Sequence, residues 1–399
     1  MTPTPPYSAA SDVAENLDLF TRFGEFARSI GRSDLVRPRQ PSAATTRDET
    51  DFDWAVVGGS PLAMAKAAYL SAAGYKVVLI DERERLGGAW GDLTVFNLAA
   101  VQRSTHILTP NQRGYRFIEN VLGQRLIEMD PQPICLDAKT GERHPYPMDD
   151  KPFKNFAGYE GTVRFLAGGS RNFVNDLAAA NHVHGTDIQL GTTVNAITFR
   201  DSGTELSLND GRRLTASRVA LTQGSAVAIY GTPERMLYNP HVYMNYSLFL
   251  LVEAEAPILS FAHIINHAFV REFQDITLDT PGTAQGQRLW VFRLSRDFAT
   301  GGIHGLPIDD LIRDLESFAI TQPCARVVDI SLQTYVNRRM PRKLLDALMT
   351  GSAGRALVLP FGLANKLKGD TADSDEHRGA QDLSLFMNSD AFLTCFAET

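Results

Sequence analysis

The chain has 399 residues, too many for one simple core, so one large domain or two interleaved ones is expected. Hydrophobic residues make up 44% and charged residues 21%, the balance of an ordinary globular protein. A net charge of −7 argues against nucleic acid or an anionic membrane as the main partner, although a local basic pocket can still take an anionic ligand.

In chain order, Met1 to Ala10 is rich in Pro, Thr and Ser and reads as a frayed end. Ser11 can cap a helix, and Val13, Leu17, Phe20, Phe23, Ala27 and Ile30 recur at three- and four-residue steps to form one apolar stripe. Packing on the body is the leading reading of that stripe; a homodimer contact and an active-site lid are the alternatives. Arg37 to Asp51 has linker composition. Asp53 to Asp81 reads strand, turn, helix, strand. Further on, Tyr159 to Ala180 reads as a loop and a helix, and Ile188 to Phe199, Glu205 to Leu208 and Val219 to Thr222 as strands, with Asn209-Asp210-Gly211 a hairpin turn. Met244 to Glu253, Arg288 to Leu294 and Ala356 to Pro360 have strand composition. Ile308 to Ile320 and Gly379 to Met387 read as helices.

Cys135, Cys324 and Cys395 are far apart and form no C-x-x-C pair, so neither a zinc ribbon nor a redox dithiol is signalled. No basic n-region precedes an apolar core at the N-terminus, and no apolar run reaches a membrane span; a cytoplasmic location without a membrane partner is expected.

The chemistry concentrates in residues 54–90. Trp54-Ala55-Val56-Val57 is a short strand of the type buried in parallel sheets. Gly58-Gly59-Ser60-Pro61-Leu62-Ala63 comes next and opens an alanine-rich helix, and Lys76 to Ile80 is the second strand. Asp81 stands at its tip, 23 residues beyond Gly58. Gly58 permits the tight turn, position 60 approaches a pyrophosphate and position 63 packs helix on strand. Free N–H groups at the helix start bind phosphate with the aid of the dipole. Asp81 accepts from ribose hydroxyls and repels a 2′-phosphate. The glycine fingerprint is altered to Gly58, Ser60, Ala63, so the serine side chain must point away from phosphate or bond to it. Strand, helix and acid at the right spacing supply the confirming context.

The residues after Asp81 separate FAD from NAD by resemblance. Glu82-Arg83-Glu84-Arg85-Leu86-Gly87-Gly88-Ala89-Trp90 resembles the arginine and Gly-Gly segment of the FAD-dependent amine oxidase, protoporphyrinogen oxidase and phytoene desaturase group. The family's arginine falls on Arg83 or Arg85, and Gly87-Gly88 allows backbone close to the cofactor. Ser104 to Asn111, with His106, is similar to the flavin loop of the UDP-galactopyranose mutase type, and Tyr115-Arg116-Phe117-Ile118 to the helix after it. Arg143 to Pro147, Gly168-Gly169-Ser170 and Gly191 to Ile197 continue the likeness, with Val194 matching the valine whose backbone meets adenine. A C-terminal flavin segment matches either Gly354-Arg355 or Gly369-Asp370, the latter with Gly379-Ala380.

The resemblance implies an α/β fold: a Rossmann-like FAD/NAD(P)-binding domain with an interleaved α+β substrate domain containing a mixed or antiparallel sheet. The expected division is an N-terminal helical extension and linker over 1–50, FAD-binding parts over 51–100, 161–225 and 351–399, a cap segment over 101–160 and a substrate domain over 226–350. It implies FAD as cofactor, a small-molecule substrate and His106 as the catalytic candidate, where an imidazole can orient a substrate near neutral pH. Gly58, Gly59, Ser60, Pro61, Leu62, Asp81, Glu82, Arg83, Gly87, Gly88, Ala89, Trp90 and Val194 are the expected cofactor contacts.

Other constellations carry less. Arg338-Arg339 and Arg342-Lys343 after Tyr335 suit phosphate, but a solvated face is the commoner use of such a run. His263 and His267 would share a face on a helix, yet no third ligand is identifiable, so no metal is expected. The leading function is an FAD-dependent oxidoreductase. A mutase-like isomerase without net redox change and a nucleotide-binding relic acting as a partner protein are the alternatives.

Overall fold

A computed structural model of the chain describes residues 17–39, 51–102, 107–108, 112–146, 162–222, 225–231, 235–238, 241–280, 282–294, 307–339, 351–352, 354–359 and 390–399. Strand β1 (Phe52–Val57) lies between β2 (Val77–Ile80) and the strand Arg213–Thr222, parallel to both. Asp187–Gln189 extends this parallel core beyond β2, and Ala356–Leu359 pairs with the end of Arg213–Thr222. An antiparallel meander built on Val194–Arg200 and Gly203–Leu208 completes most of a nine-stranded sheet. The strands Ala226–Gly231 and Arg235–Tyr238 also join this sheet, so residue 225 falls between strands of one sheet.

Alternation along β1 decides which face meets which layer. Trp54 and Val56 enter a core with the helices, while Ala55 and Val57 enter one with the meander. The central helix α2 (Pro61–Ala72, numbered after α1, Leu19–Ser29) is buried at every position, which is why it is alanine-rich and lacks a polar face. It packs between the sheet, α1, the helix Gly169–Val183 and the C-terminal helix Asp390–Ala397.

Helix α1 starts at Leu19 with Asp18 as its N-cap, accepting from the Thr21 N–H at 3.0 Å. The expected cap Ser11 and the stripe residue Val13 lie outside the described residues. Leu17, Phe23 and Ala27 are buried in this chain's own core, with Phe23 edge-on to Tyr69 and Phe117. Packing on the body is therefore the observed use of those stripe residues.

One contact ties the middle of α2 to the C-terminal residues. Lys66, in the middle of α2, is fully buried, and its Nζ donates to the carbonyls of Phe396 (2.8 Å), Cys395 (3.3 Å) and Glu398. The rings of Tyr69, Trp54 and Phe396 surround the ammonium at 5.1 to 5.8 Å. Lys66 thus donates to carbonyls at and just beyond the last turn of the C-terminal helix, where intrahelical donors run out.

The second sheet is seven-stranded and mainly antiparallel, running from Arg326–Arg339 through His241–Glu253, Gln287–Leu294, Val270–Asp275 and Phe261–Ile265 to Ile134–Asp137 and Arg143–Pro145. Its one parallel pairing among the described residues is Phe261–Ile265 with Ile134–Asp137. One face packs on the helix Ile308–Ser317 through Leu248, Leu250, Trp290 and Phe292. The other meets the hairpin Leu93–Val101, which follows the Gly-Gly segment directly. The architecture is the expected Rossmann-like half with an interleaved second domain.

Candidate functional site: a nucleotide turn braced by Asp81

The site forms where β1 and β2 end side by side. Gly58 donates to the Ile80 carbonyl at 2.8 Å and has φ +106°, a conformation that L side chains rarely adopt. A Cβ here would also stand 2.1 Å from Thr222 Oγ1, so glycine is required twice over. Gly59 then turns its N–H onto Asp81 Oδ2, and the N–H of Arg83 donates to Asp81 Oδ1 at 2.8 Å. Asp81 is only 7% exposed. Burial pushes its carboxyl above the ordinary range, against the pull of the Arg83 and Gly59 N–H groups. An ionised carboxylate offers about four lone-pair sites, so these two bonds leave acceptor capacity for a ribose diol.

Ser60 is the N-cap of α2, its Oγ accepting from the Ala63 N–H at 3.4 Å. The hydroxyl turns toward the helix N-terminus and occupies part of the place that a glycine would leave open. Pro61 and Leu62 are buried in the first turn. Proline fits there because its missing N–H would have had no intrahelical acceptor.

The segment after Asp81 folds back over this turn. Gly87 N–H donates to the Gly59 carbonyl at 2.7 Å, and a Cβ on Gly88 would lie 3.3 Å from Ser60 Cα. Gly88 to Trp90, with Ala89 between, form a single 3₁₀ turn. The Trp90 ring is buried edge-on against Phe173, 5.6 Å away, which makes it core. Glu82 is exposed. Arg83 holds a buried Nη1 with no hydrogen-bond partner among the described residues. An orphaned guanidinium nitrogen is unusual inside a protein and calls for an anion.

Val194 is brought in by the backbone. Thr192 N–H donates to the Asp81 carbonyl at 3.0 Å and Gly191 N–H to the Arg83 carbonyl at 2.9 Å. Val194, two residues on, is buried at the start of its strand, between Leu208 and Ala226 in register. Thr222 and Thr192 belong to this assembly, and sequence reasoning missed both. The signal for Thr222 is its place at the tip of the strand beside β1, which only the pairing reveals.

Some expected residues fall elsewhere. His106, Gly369, Asp370, Gly379 and Ala380 lie outside the described residues, as do Arg342 and Lys343. Arg355 donates to the carbonyls of Asp201 (2.7 Å) and Gly203 (3.4 Å), which ties it to the meander. Arg338 and Arg339 pair with Val242 and His241 at a strand end. His263 sits in a strand and His267 beyond it, so the shared helix face does not exist. His267 Nδ1 accepts from the Phe269 and Val270 N–H groups, and its Nε2 is 3.3 Å from Asp314. Among the described residues no group of three or more His, Cys, Asp or Glu could hold a metal. No helix among them is long and apolar enough to cross a membrane.

A glycine turn on a helix N-terminus, a braced acid and a folded-back Gly-Gly segment, set beside a second sheet, define a dinucleotide-binding fold of the flavoprotein type. Residues 56–121 match the model of the NAD(P)-binding Rossmann-like domain, and residues 152–242 that of the flavin containing amine oxidoreductase. Over those two stretches the chain is similar to Rossmann-like dinucleotide-binding domains and to flavin containing amine oxidoreductases.

Similar solved structures include a putrescine oxidase (TM-score 0.56, 14% identity, 87% of this chain and 98% of that one). Another is a putative protoporphyrinogen oxidase from Exiguobacterium sp. 255-15 (TM-score 0.52, 12% identity, 78% and 94%). At those identities the likeness concerns the fold. A thiamine thiazole synthase from Solidesulfovibrio magneticus is 42% identical over 65 residues, 16% of this chain. That match spans 25% of the relative's own length.

Proposed function

We propose that the protein is an FAD-dependent oxidoreductase acting on a small-molecule substrate, with the ADP half of FAD held by the turn at Gly58 to Leu62. The observation that supports this most is the buried Arg83 Nη1 beside a turn already closed by Gly59, Asp81 and Gly87. Bound FAD supplies the acceptor for a hydride taken from substrate. The chain's own residues bind and orient. The N-terminus of α2 and Arg83 face the pyrophosphate, Asp81 accepts from the ribose, and the Gly87-Gly88 backbone closes over the turn. The Val194 backbone meets the adenine by family resemblance. His106 is proposed on the same basis as the side chain that orients substrate.

Purification tests the reading. A yellow protein, or one that turns yellow on adding FAD, is the expected result. A colourless chain that takes up no FAD would reject it. Asp81→Ala is expected to lose most of its flavin during gel filtration, and full flavin retention in that variant would remove the ribose assignment. Substrate-dependent bleaching marks hydride transfer, whereas turnover only after dithionite reduction would replace it with the mutase-type isomerase.

A further inference from the structure

A cavity of about 220 Å³ opens between α1, the turn Ser33–Leu35 and the middle of α2. Phe20, Phe23, Leu35 and Tyr69 give it apolar walls, and Arg28, Arg37 and Arg39 also line it. The acids nearby are already engaged. Asp18 pairs with Arg39, whose guanidinium lies 5.6 Å over the Phe20 ring. Asp34 takes both hydrogen bonds from Arg32, at 2.8 and 2.9 Å. Arg28 and Arg37 form no ion pair among the described residues, although the Arg37 charge helps to hold the Asp34 carboxyl low. Tyr69 is 1% exposed and lines the cavity, and its hydroxyl is not among the buried polar atoms left without a partner. The Arg37 charge reaches this phenol and opposes the burial that raises its pKa. Two guanidinium groups outside any ion pair, a phenol hydroxyl and an aromatic floor are complementary to an anion with an apolar body.

The size narrows the ligand. Pockets for drug-sized molecules start at about 300 Å³, so this one is too small for a nucleotide. Tyr69 lies nine residues beyond Ser60, roughly 13 Å along the helix, so the cavity is separate from the flavin turn. We propose that this cavity binds a small organic monocarboxylate carrying one ring or a short acyl chain. Its carboxylate meets Arg28, Arg37 and the Tyr69 hydroxyl, and its apolar part rests on Phe20 and Phe23. The site does not depend on the flavin.

Calorimetric titration of the intact chain with phenylacetate, phenylacetamide and phenethylamine tests this. Phenylacetate is expected to bind about tenfold or more tightly than the neutral amide, the difference a charge-assisted bond makes, with no heat from the amine. Arg28→Gln and Arg37→Gln should each weaken it by about tenfold. Tyr69→Phe keeps the ring packing and should weaken it by about fivefold, with an unchanged melting temperature in the absence of ligand. Equal affinity for acid and amide, no heat from either phenylacetate or hexanoate, or no effect of Arg37→Gln and Tyr69→Phe would overturn the proposal. So would binding that appears only when residues 2–16 are removed, because the chain itself then fills the cavity.

Discussion

Helix α2 meets different chemistry at its start and along its second half. At its start, a turn of five residues is held by Asp81, which accepts from the Gly59 N–H and, on its other oxygen, from the Arg83 N–H. Farther along, Lys66 and Tyr69 bind elements from the two ends of the chain, α1 and Asp390–Ala397, through ring contacts and carbonyls. The first region is specified by local spacing and tolerates almost no change of backbone. The second depends on burial of side chains that meet only after folding. The two should therefore respond to different perturbations.

The largest effect belongs to the turn. Gly58→Ala places a Cβ on Thr222 at a positive φ, so overpacking and backbone strain add, for a loss of roughly 2–6 kcal/mol measured by chemical denaturation. Adding Thr222→Ala should recover much of the overpacking part and leave the strain and the 3.0 Å approach to Ser225 Cβ. Full recovery would show that φ is not the constraint. Asp81→Ala strands the Gly59 and Arg83 N–H groups and should cost about 2–5 kcal/mol, while Asp81→Asn, which keeps one acceptor oxygen, should cost less.

The Lys66 region should answer to pH. Burial pulls the Lys66 pKa from 10.5 down to about 7, with Arg218 adding to the fall and Cys395 and Glu398 opposing it. Between those values the unfolded chain carries a proton that the folded chain lacks, so this group makes stability rise with pH, by about 1.4 kcal/mol per unit. Below pH 7 the contribution is gone. Wild type should thus gain on Lys66→Met between pH 6 and pH 9 in urea denaturation. Parallel curves for the two proteins would mean that the three carbonyls and the rings keep the ammonium charged throughout.

The same contrast explains what could be read from the sequence. The β1–α2–β2 unit, the Asn209 to Gly211 turn and the helix from Ile308 were legible because each depends on residues a few positions apart. The Gly-Gly segment was readable by resemblance, but the orphaned Arg83 nitrogen emerges only from burial. Ile188 to Phe199 read as one strand and is two, because Gly191 at φ +62° turns the chain against Glu84. His263 and His267 would share a face only on a helix, and the strand Phe261–Ile265 takes the first of them. Asp390–Ala397 is too short for periodicity to announce it, and its capping lysine lies more than 300 residues away. The strand Arg326–Arg339 went unread because much of it is half-exposed, without the clean alternation of a strand with one buried face.

The smallest expected effect tests whether Ser60 serves the helix or the ligand. As an N-cap its hydroxyl is worth about 1 kcal/mol, so Ser60→Ala should lose that much, and Ser60→Gly, which restores the usual fingerprint, only a few tenths. If capping is its whole role, Ser60→Gly should also bind FAD at least as tightly as wild type, because the vacated space and the released Ala63 N–H both favour the pyrophosphate. Weaker FAD binding in Ser60→Gly at near-equal stability would mean that the hydroxyl itself contacts phosphate. Stability by denaturation and flavin affinity by absorbance titration, measured on the same two variants, separate the roles, since capping moves the first and phosphate contact the second.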